Sequence, residues 1–182
     1  MINDYCLSEQ AYKEIDCNDL ILKLESAVDL GYVDDYAYGN KKTSNVKIVS
    51  YGSIKNEMQR LRNMVLDINK NFFGFDLFEI NDFIGVNYNK YSAANNGQYN
   101  WHSDDVKEKP YDIKLTAILN LSDEEYEGGD FSLFINGEQK IEKFNNRGSL
   151  IVFPSWIQHR VSPVTKNSRK TLTLFLTGPN LK

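Results

Sequence analysis

The chain of 182 residues has two histidines, His102 and His159, and the first stands in the run Tyr-Asn-Trp-His-Ser-Asp at positions 99–104. In an extended segment side chains alternate between faces, so His102 and Asp104 point one way while Ser103 and Asp105 point the other. An imidazole and a carboxylate on one face, joined by the second imidazole from downstream, make a two-histidine, one-carboxylate set. Such a set suits ferrous iron and leaves further coordination positions open, as oxygen chemistry requires. By itself a His-x-Asp triplet is a weak signal, and a lone histidine is more often structural.

Arg169 strengthens the case. Around His159 the sequence holds two extended runs separated by a turn-rich Ser-Pro-Val-Thr-Lys-Asn-Ser segment at 162–168. A hairpin centred near Val164 would set residues 159 and 169 at matching positions on neighbouring strands. In the second strand Arg169, Thr171, Thr173 and Phe175 share one face, and Lys170, Leu172, Leu174 and Leu176 the other. A guanidinium turned into an interior is costly unless an anion meets it. Its planar fork suits a carboxylate held by two parallel hydrogen bonds, with Thr171 able to add a hydroxyl donor. The alternative is an arginine paired with a protein carboxylate, or one exposed at a strand edge.

Taken in order, His102-Ser103-Asp104, His159 and Arg169 with Thr171 resemble the signature of the iron(II)- and 2-oxoglutarate-dependent dioxygenases, in particular the prolyl 4-hydroxylase-like group. The stretches 91–104, 114–131 and 148–154 resemble runs of that group as well, and the likeness extends over residues 78–177. It implies that His102, Asp104 and His159 bind the metal and that Arg169 takes the distal carboxylate of 2-oxoglutarate. Thr171 would assist, Tyr91 would also touch the co-substrate, and His102, Asp104, His159 and Arg169 would form the catalytic set. There are two departures: the spacing from Tyr91 to His102 is slightly longer than in some relatives, and Asn120 stands where certain prolyl hydroxylases place a second co-substrate tyrosine. The implied cofactors are Fe(II), 2-oxoglutarate and O2, with ascorbate a candidate reductant, and the implied products include succinate and CO2. The implied partner is a peptide or protein substrate hydroxylated on a prolyl residue. A free amino acid or other small metabolite would keep the fold and change the target. A non-catalytic metal-dependent binding module is the reading from a different class, and retention of three ligands plus Arg169 weighs against it.

Composition bounds the rest. A hydrophobic fraction of 41% fits a packed globular chain, and a net charge of −4 argues against a basic nucleic-acid surface. No apolar run reaches membrane-spanning length, and the first residues lack the pattern of a signal peptide, so a cytoplasmic location is expected. Cys6 and Cys17 read as ordinary thiols.

The elements that must position the site follow from periodicity. Residues 1–17 give a weak strand or irregular start. Asn18 is a plausible N-cap for a helix over 19–30, with Leu20, Leu24, Ala27 and Val28 on one stripe and Gly31 as the stop. The polar, tyrosine-rich stretch 32–51 reads as a surface loop leading to a short strand at 46–49, or else as a mobile cover over substrate. A second helix over 54–72 has the widest apolar face, with Ile54, Met58, Leu61, Met64, Val65, Ile68 and Phe72 at helical spacing and Gly74 after it. Beyond it come short extended runs at 77–80, 85–89, 99–104, 113–121, 131–135, 139–144, 149–153 and 170–176, with Asn136-Gly137 a hairpin signal. Helices first and strands afterwards predict an α+β chain: a double-stranded β-helix, or jelly-roll barrel, buttressed by N-terminal helices. The expected organisation is a single domain over 1–182, in which residues 1–74 supply the supporting helices and loop and 75–182 the catalytic core. The stretches 92–98 and 105–111 flank the first ligands and are candidates for walls of a peptide groove. Trp101 and Trp156 are candidates to pack on a proline ring, or belong to the core.

Overall fold

The computed structural model describes residues 4–31, 42–82, 84–104 and 111–180. The expected mobile cover falls in large part on 32–41, and one proposed groove wall on 105–110; both lie outside the described residues, as does Asp105.

Strand β1 (Cys6–Ser8) precedes helix α1, which runs Glu14–Ser26, earlier than the expected 19–30. The start is set by Lys13, whose backbone N–H donates to the Asp16 carboxylate at 3.3 Å, and Glu14 and Asp16 place negative charge where the helix dipole favours it. Asn18 is therefore inside the helix and accepts a hydrogen bond from Arg147 Nη2 at 2.6 Å. Leu20 and Leu24 are buried as expected, but Val28 lies past the helix end and is exposed. Strand β2 (Asn45–Ser50) leads into α2 (Lys55–Ile68), whose Met58, Leu61, Val65 and Ile68 form the buried face. A π-type turn over Asn69–Phe73 follows and ends at Gly74, with φ 71°. The wider turn breaks the helical register, so Phe72 ends up exposed instead of continuing the stripe.

The remaining strands are β3 (Gly85–Ser92), β4 (Tyr99–His102), β5 (Asp112–Asn120), β6 (Glu127–Gly128), β7 (Phe131–Phe134) and β8 (Glu138–Lys140). They are followed by β9 (Leu150–Pro154), β10 (His159–Val161), β11 (Val164–Lys166) and β12 (Ser168–Gly178). The run expected at 77–80 is irregular, and the one at 139–144 divides into β8 and a 3-10 turn over Glu142–Asn145. Asn136 and Gly137 do turn the β7–β8 hairpin, both with positive φ.

A six-stranded antiparallel sheet has the order β1-β9-β5-β12-β3-β2, and a four-stranded sheet the order β4-β10-β7-β8. Alternation assigns the faces. Leu115, Ala117 and Leu119 of β5 and Leu172, Leu174 and Leu176 of β12 pack with α1 and α2, whereas Ile118, Ile151 and Phe153 face Phe131, Leu133 and Val161 of the smaller sheet. The larger sheet is thus buried on both faces, with helices outside and the second sheet inside. Among the described residues no helix is long and apolar enough to cross a membrane.

One expectation is corrected. Residues 159 and 169 are not neighbours in a hairpin: β10 pairs with β4 and β7, while β12 pairs with β3 and β5. The intervening segment is engaged elsewhere. β11 pairs with β6, Val164 N–H donates to Gly97 O and Gly129 N–H to Pro163 O, so the chain crosses from one sheet to the other. His159 and Arg169 reach a common interior from opposing sheets.

Candidate metal centre and its anion pocket

His102 is the last residue of β4, and His159, the first of β10, lies directly opposite it across the pairing of the two strands. Their ring centroids are 4.1 Å apart, and both residues are buried. Each imidazole donates Nδ1–H to the carbonyl two residues back, His102 to Asn100 O at 2.7 Å and His159 to Ile157 O at 3.1 Å. A carbonyl can only accept, so the proton is fixed on Nδ1 and the Nε2 lone pair is left for a metal. Burial first, then the neighbouring His159, lowers the His102 pKa to about 2, which keeps that lone pair free of a proton.

Asp104 completes the set, though not by strand parity, because β4 ends at His102. Its position comes from its own N–H, which donates to Ser155 O at 2.9 Å. Its carboxylate lies 3.7 Å from His102 Nε2 and 3.4 Å from His159 Nε2, and the three ligand atoms all fall within 4.8 Å of one another. The Thr116 hydroxyl donates to Asp104 Oδ2 at 2.8 Å and is itself 3.0 Å from Ser155 Oγ. These two hydroxyls aim the carboxylate, and sequence reasoning missed both. Thr116 shares the inward face of β5 with Ile118 and Asn120, a parity the sequence does contain.

Arg169 lies in the same cavity, together with Thr171, Tyr91 and all three candidate ligands. It is 1% exposed, its Nε and Nη2 find no hydrogen-bond partner among the described residues, and its guanidinium lies 5.6 Å from the Tyr91 ring and 5.5 Å from that of Phe144. A buried cation with orphaned donors marks a place for an anion. Gly129, with φ 63°, lets it in, since an added Cβ there would sit 3.1 Å from Arg169 Cδ. Tyr91 pairs across β3 with Arg169, and Thr171 is flanked by Asn89 and Asn120. Asn120 is a strut: it donates to Phe144 O and Asn145 O and accepts from Ser122 N–H. Two imidazoles, one carboxylate and an unsatisfied guanidinium in one cavity fit a divalent metal and a dicarboxylate that spans the distance to Arg169.

The tryptophans sit apart from this cavity. Trp101 meets Phe134 edge to face at 5.7 Å and lies under the Arg160 guanidinium at 5.0 Å, while Trp156 is partly exposed against Phe75. Of the stretch 92–98, a 3-10 turn over Ala93–Asn95 is capped by the Ser92 hydroxyl.

The family model of the 2OG-Fe(II) oxygenase superfamily matches residues 86–177. A PKHD-type hydroxylase of Nitrosomonas europaea is 30% identical over 131 residues, 66% of this chain and 56% of that protein. The chain spans between 37% and 56% of the length of the curated relatives it matches. Among solved structures, the viral collagen prolyl hydroxylase of Paramecium bursaria Chlorella virus-1, in its 2OG complex, superposes with a TM-score of 0.73 at 15% identity, covering 97% of each chain. A prolyl hydroxylase of Trichoplax adhaerens in complex with a hypoxia inducible factor peptide gives 0.71 at 15% identity, covering 96% of this chain and 83% of that one. The fold is the double-stranded β-helix of these enzymes, and the match over residues 86–177 shows that the chain belongs to the 2OG-Fe(II) oxygenase superfamily.

Proposed function

We propose that the chain is a prolyl-hydroxylase-like, 2-oxoglutarate-dependent dioxygenase that hydroxylates a peptidyl residue, a proline in the first instance, at a metal held by His102, Asp104 and His159 with 2-oxoglutarate anchored by Arg169. The observation that carries the reading is the orphaned Arg169 guanidinium in the same cavity as the convergent His-Asp-His set. The peptide and the proline rest on analogy with the collagen and hypoxia-factor hydroxylases that share the fold.

When bound, iron(II) with 2-oxoglutarate and O2 supplies the oxidising power for replacing a C–H by a C–OH, with succinate and CO2 as co-products. What the chain contributes is placement. Nδ1 donation to two carbonyls holds both imidazoles in the tautomer that presents Nε2. Thr116 and Ser155 orient the acid. Arg169 takes the distal carboxylate through Nε and Nη2, and Thr171 stands beside it to add a hydroxyl donor, which fixes how the diacid extends toward the metal. Tyr91 and Phe144 pack beside the guanidinium, and Ile118, Phe131 and Val161 give the cavity an apolar wall.

The test is anaerobic addition of iron(II) and 2-oxoglutarate, which gives a visible charge-transfer band in the wild type and loses it in His159→Ala. Air is then admitted with proline-containing peptides, and succinate release accompanies the gain of one oxygen atom in the peptide by mass spectrometry. Absence of the band refutes the metal assignment; succinate release without a mass change in any peptide refutes the peptidyl reading.

A further inference from the structure

A row of polar side chains runs away from Arg169 along the inner faces of β3 and β12. Arg169 is paired with Tyr91, Thr171 with Asn89 and Thr173 with Asn87, and alternation turns all of them into the cavity. Asn89, in the middle of the row, is fully engaged. Its Nδ2 donates to Thr173 Oγ1 at 3.3 Å and to Asn87 O at 3.2 Å, and its Oδ1 accepts from Lys42 Nζ at 3.2 Å. Because the Asn89 amide occupies a lone pair of Oγ1, the Thr173 proton is turned elsewhere, and it meets no acceptor among the described residues. Asn87 is partly buried, and no hydrogen bond reaches its carboxamide from the described residues. It therefore offers the cavity one acceptor oxygen and two N–H donors. Ile118, Phe131, Val161 and Phe175 also line the cavity, and a few fixed polar groups in an apolar wall are what orients a ligand.

Distance sets this carboxamide apart from the co-substrate. Along β3, Asn87 lies four residues from Tyr91, the cross-strand partner of Arg169, which in extended chain is about 13 Å. That is longer than the carbon chain of 2-oxoglutarate, so a diacid held by Arg169 and turned to the metal does not extend there. What a carboxamide reads well is the edge of an extended chain. The N–H and C=O of one strand residue point the same way, so Nδ2–H donates to that carbonyl while Oδ1 accepts from that N–H. The Thr173 hydroxyl stands beside it as a further donor. Proline has no N–H, so the residue gripped in this way is a neighbour of a prolyl target and not the target itself. We propose that Asn87 is a specificity-determining residue that takes the backbone N–H and C=O of a non-proline residue flanking the one oxidised. The inference rests on the peptidyl reading above, though not on the target being proline, and assigns peptide backbone as what this end of the cavity recognises.

The probes are acetylated, amidated tripeptides with proline or another residue at the centre, each with two analogues in which one flanking backbone N–H is replaced by an ester oxygen. Binding to the protein with iron(II) and 2-oxoglutarate is measured anaerobically by calorimetry, and oxygen gain by mass spectrometry after air is admitted. In the wild type one of the two ester replacements weakens binding at least roughly tenfold, and the other has little effect. Asn87→Leu binds the parent peptide more weakly and no longer distinguishes it from that ester, while its Kd for 2-oxoglutarate moves little. Asn87→Asp keeps an acceptor for the N–H, so the discrimination persists in it at lower peptide affinity. Equal binding of the parent and both esters by the wild type overturns the proposal and leaves the peptidyl reading in place. An ester penalty that survives in Asn87→Leu also overturns it, as does a loss of 2-oxoglutarate affinity there as large as that for peptide. If Asn87→Leu does not fold, unchanged peptide affinity in Asn87→Asp overturns it. Oxidation of centres other than proline, with the ester penalty intact, refutes the prolyl reading and leaves this one standing. Binding of 2-oxoglutarate without binding of any peptide refutes the peptidyl reading and this one with it; absence of 2-oxoglutarate binding removes the diacid assignment as well.

Discussion

Replacing Arg169 by methionine keeps a long, unbranched side chain in place and removes the buried charge. The Arg169 residue is 1% exposed, with Nε and Nη2 unpaired among the described residues. An unsatisfied buried donor costs about 1–3 kcal/mol, more when charged. Against this stand the Tyr91 and Phe144 faces at 5.6 and 5.5 Å, each contributing about 0.5–2 kcal/mol to holding a cation. The balance favours methionine by about 1 kcal/mol, so the metal- and co-substrate-free variant melts about 2–4 °C higher than the wild type. Binding moves the other way. Loss of one partner of a buried charge pair costs about 2–5 kcal/mol, which raises the Kd for 2-oxoglutarate about 30- to several-thousand-fold. Thermal melts of the free protein and anaerobic calorimetry with 2-oxoglutarate measure the two effects separately. A variant that melts well below the wild type while binding 2-oxoglutarate with unchanged Kd would show that the guanidinium is satisfied by the protein itself, and the anion-pocket reasoning would fail.

Thr116→Val leaves Asp104 without its hydroxyl donor and weakens metal binding by about 10- to 100-fold, as loss of an outer partner typically does; Thr116→Ser restores it, and a metal titration followed by calorimetry reads both. Gly129→Ala combines a left-handed backbone, φ 63°, with a new Cβ against Val164 and Arg169, and should cost about 1–3 kcal/mol in urea unfolding together with 2-oxoglutarate affinity. For pH, the folded His102 value of about 2 lies below the unfolded value, which is about 6.5. The unfolded chain therefore takes up the proton first as pH falls. The contribution of neutral His102 is complete above about pH 6.5 and is lost below it, at up to about 1.4 kcal/mol per pH unit in the metal-free protein. Urea midpoints at pH 7.5 and 5.5 measure this, and His102→Gln should flatten the dependence.

The sequence by itself determined what could be read one strand or one helix at a time. The shared face of Arg169, Thr171 and Thr173 and the apolar stripe of α2 as far as Ile68 are local consequences of periods of two and 3.6 residues. They stand in the fold as the pattern implies. Tertiary structure decided the rest. Helix α1 begins at Glu14 because of the Lys13–Asp16 contact, and β4 stops before Asp104, so it is Ser155 and Thr116, far away in sequence, that aim the acid. His159 and Arg169 face one another from separate sheets because the segment between them is hydrogen-bonded to the loops at Gly97 and Gly129. Side-chain alternation is a property of the chain, but which strands become neighbours depends on apolar surfaces distant in sequence finding common burial, and no local spacing encodes that partner.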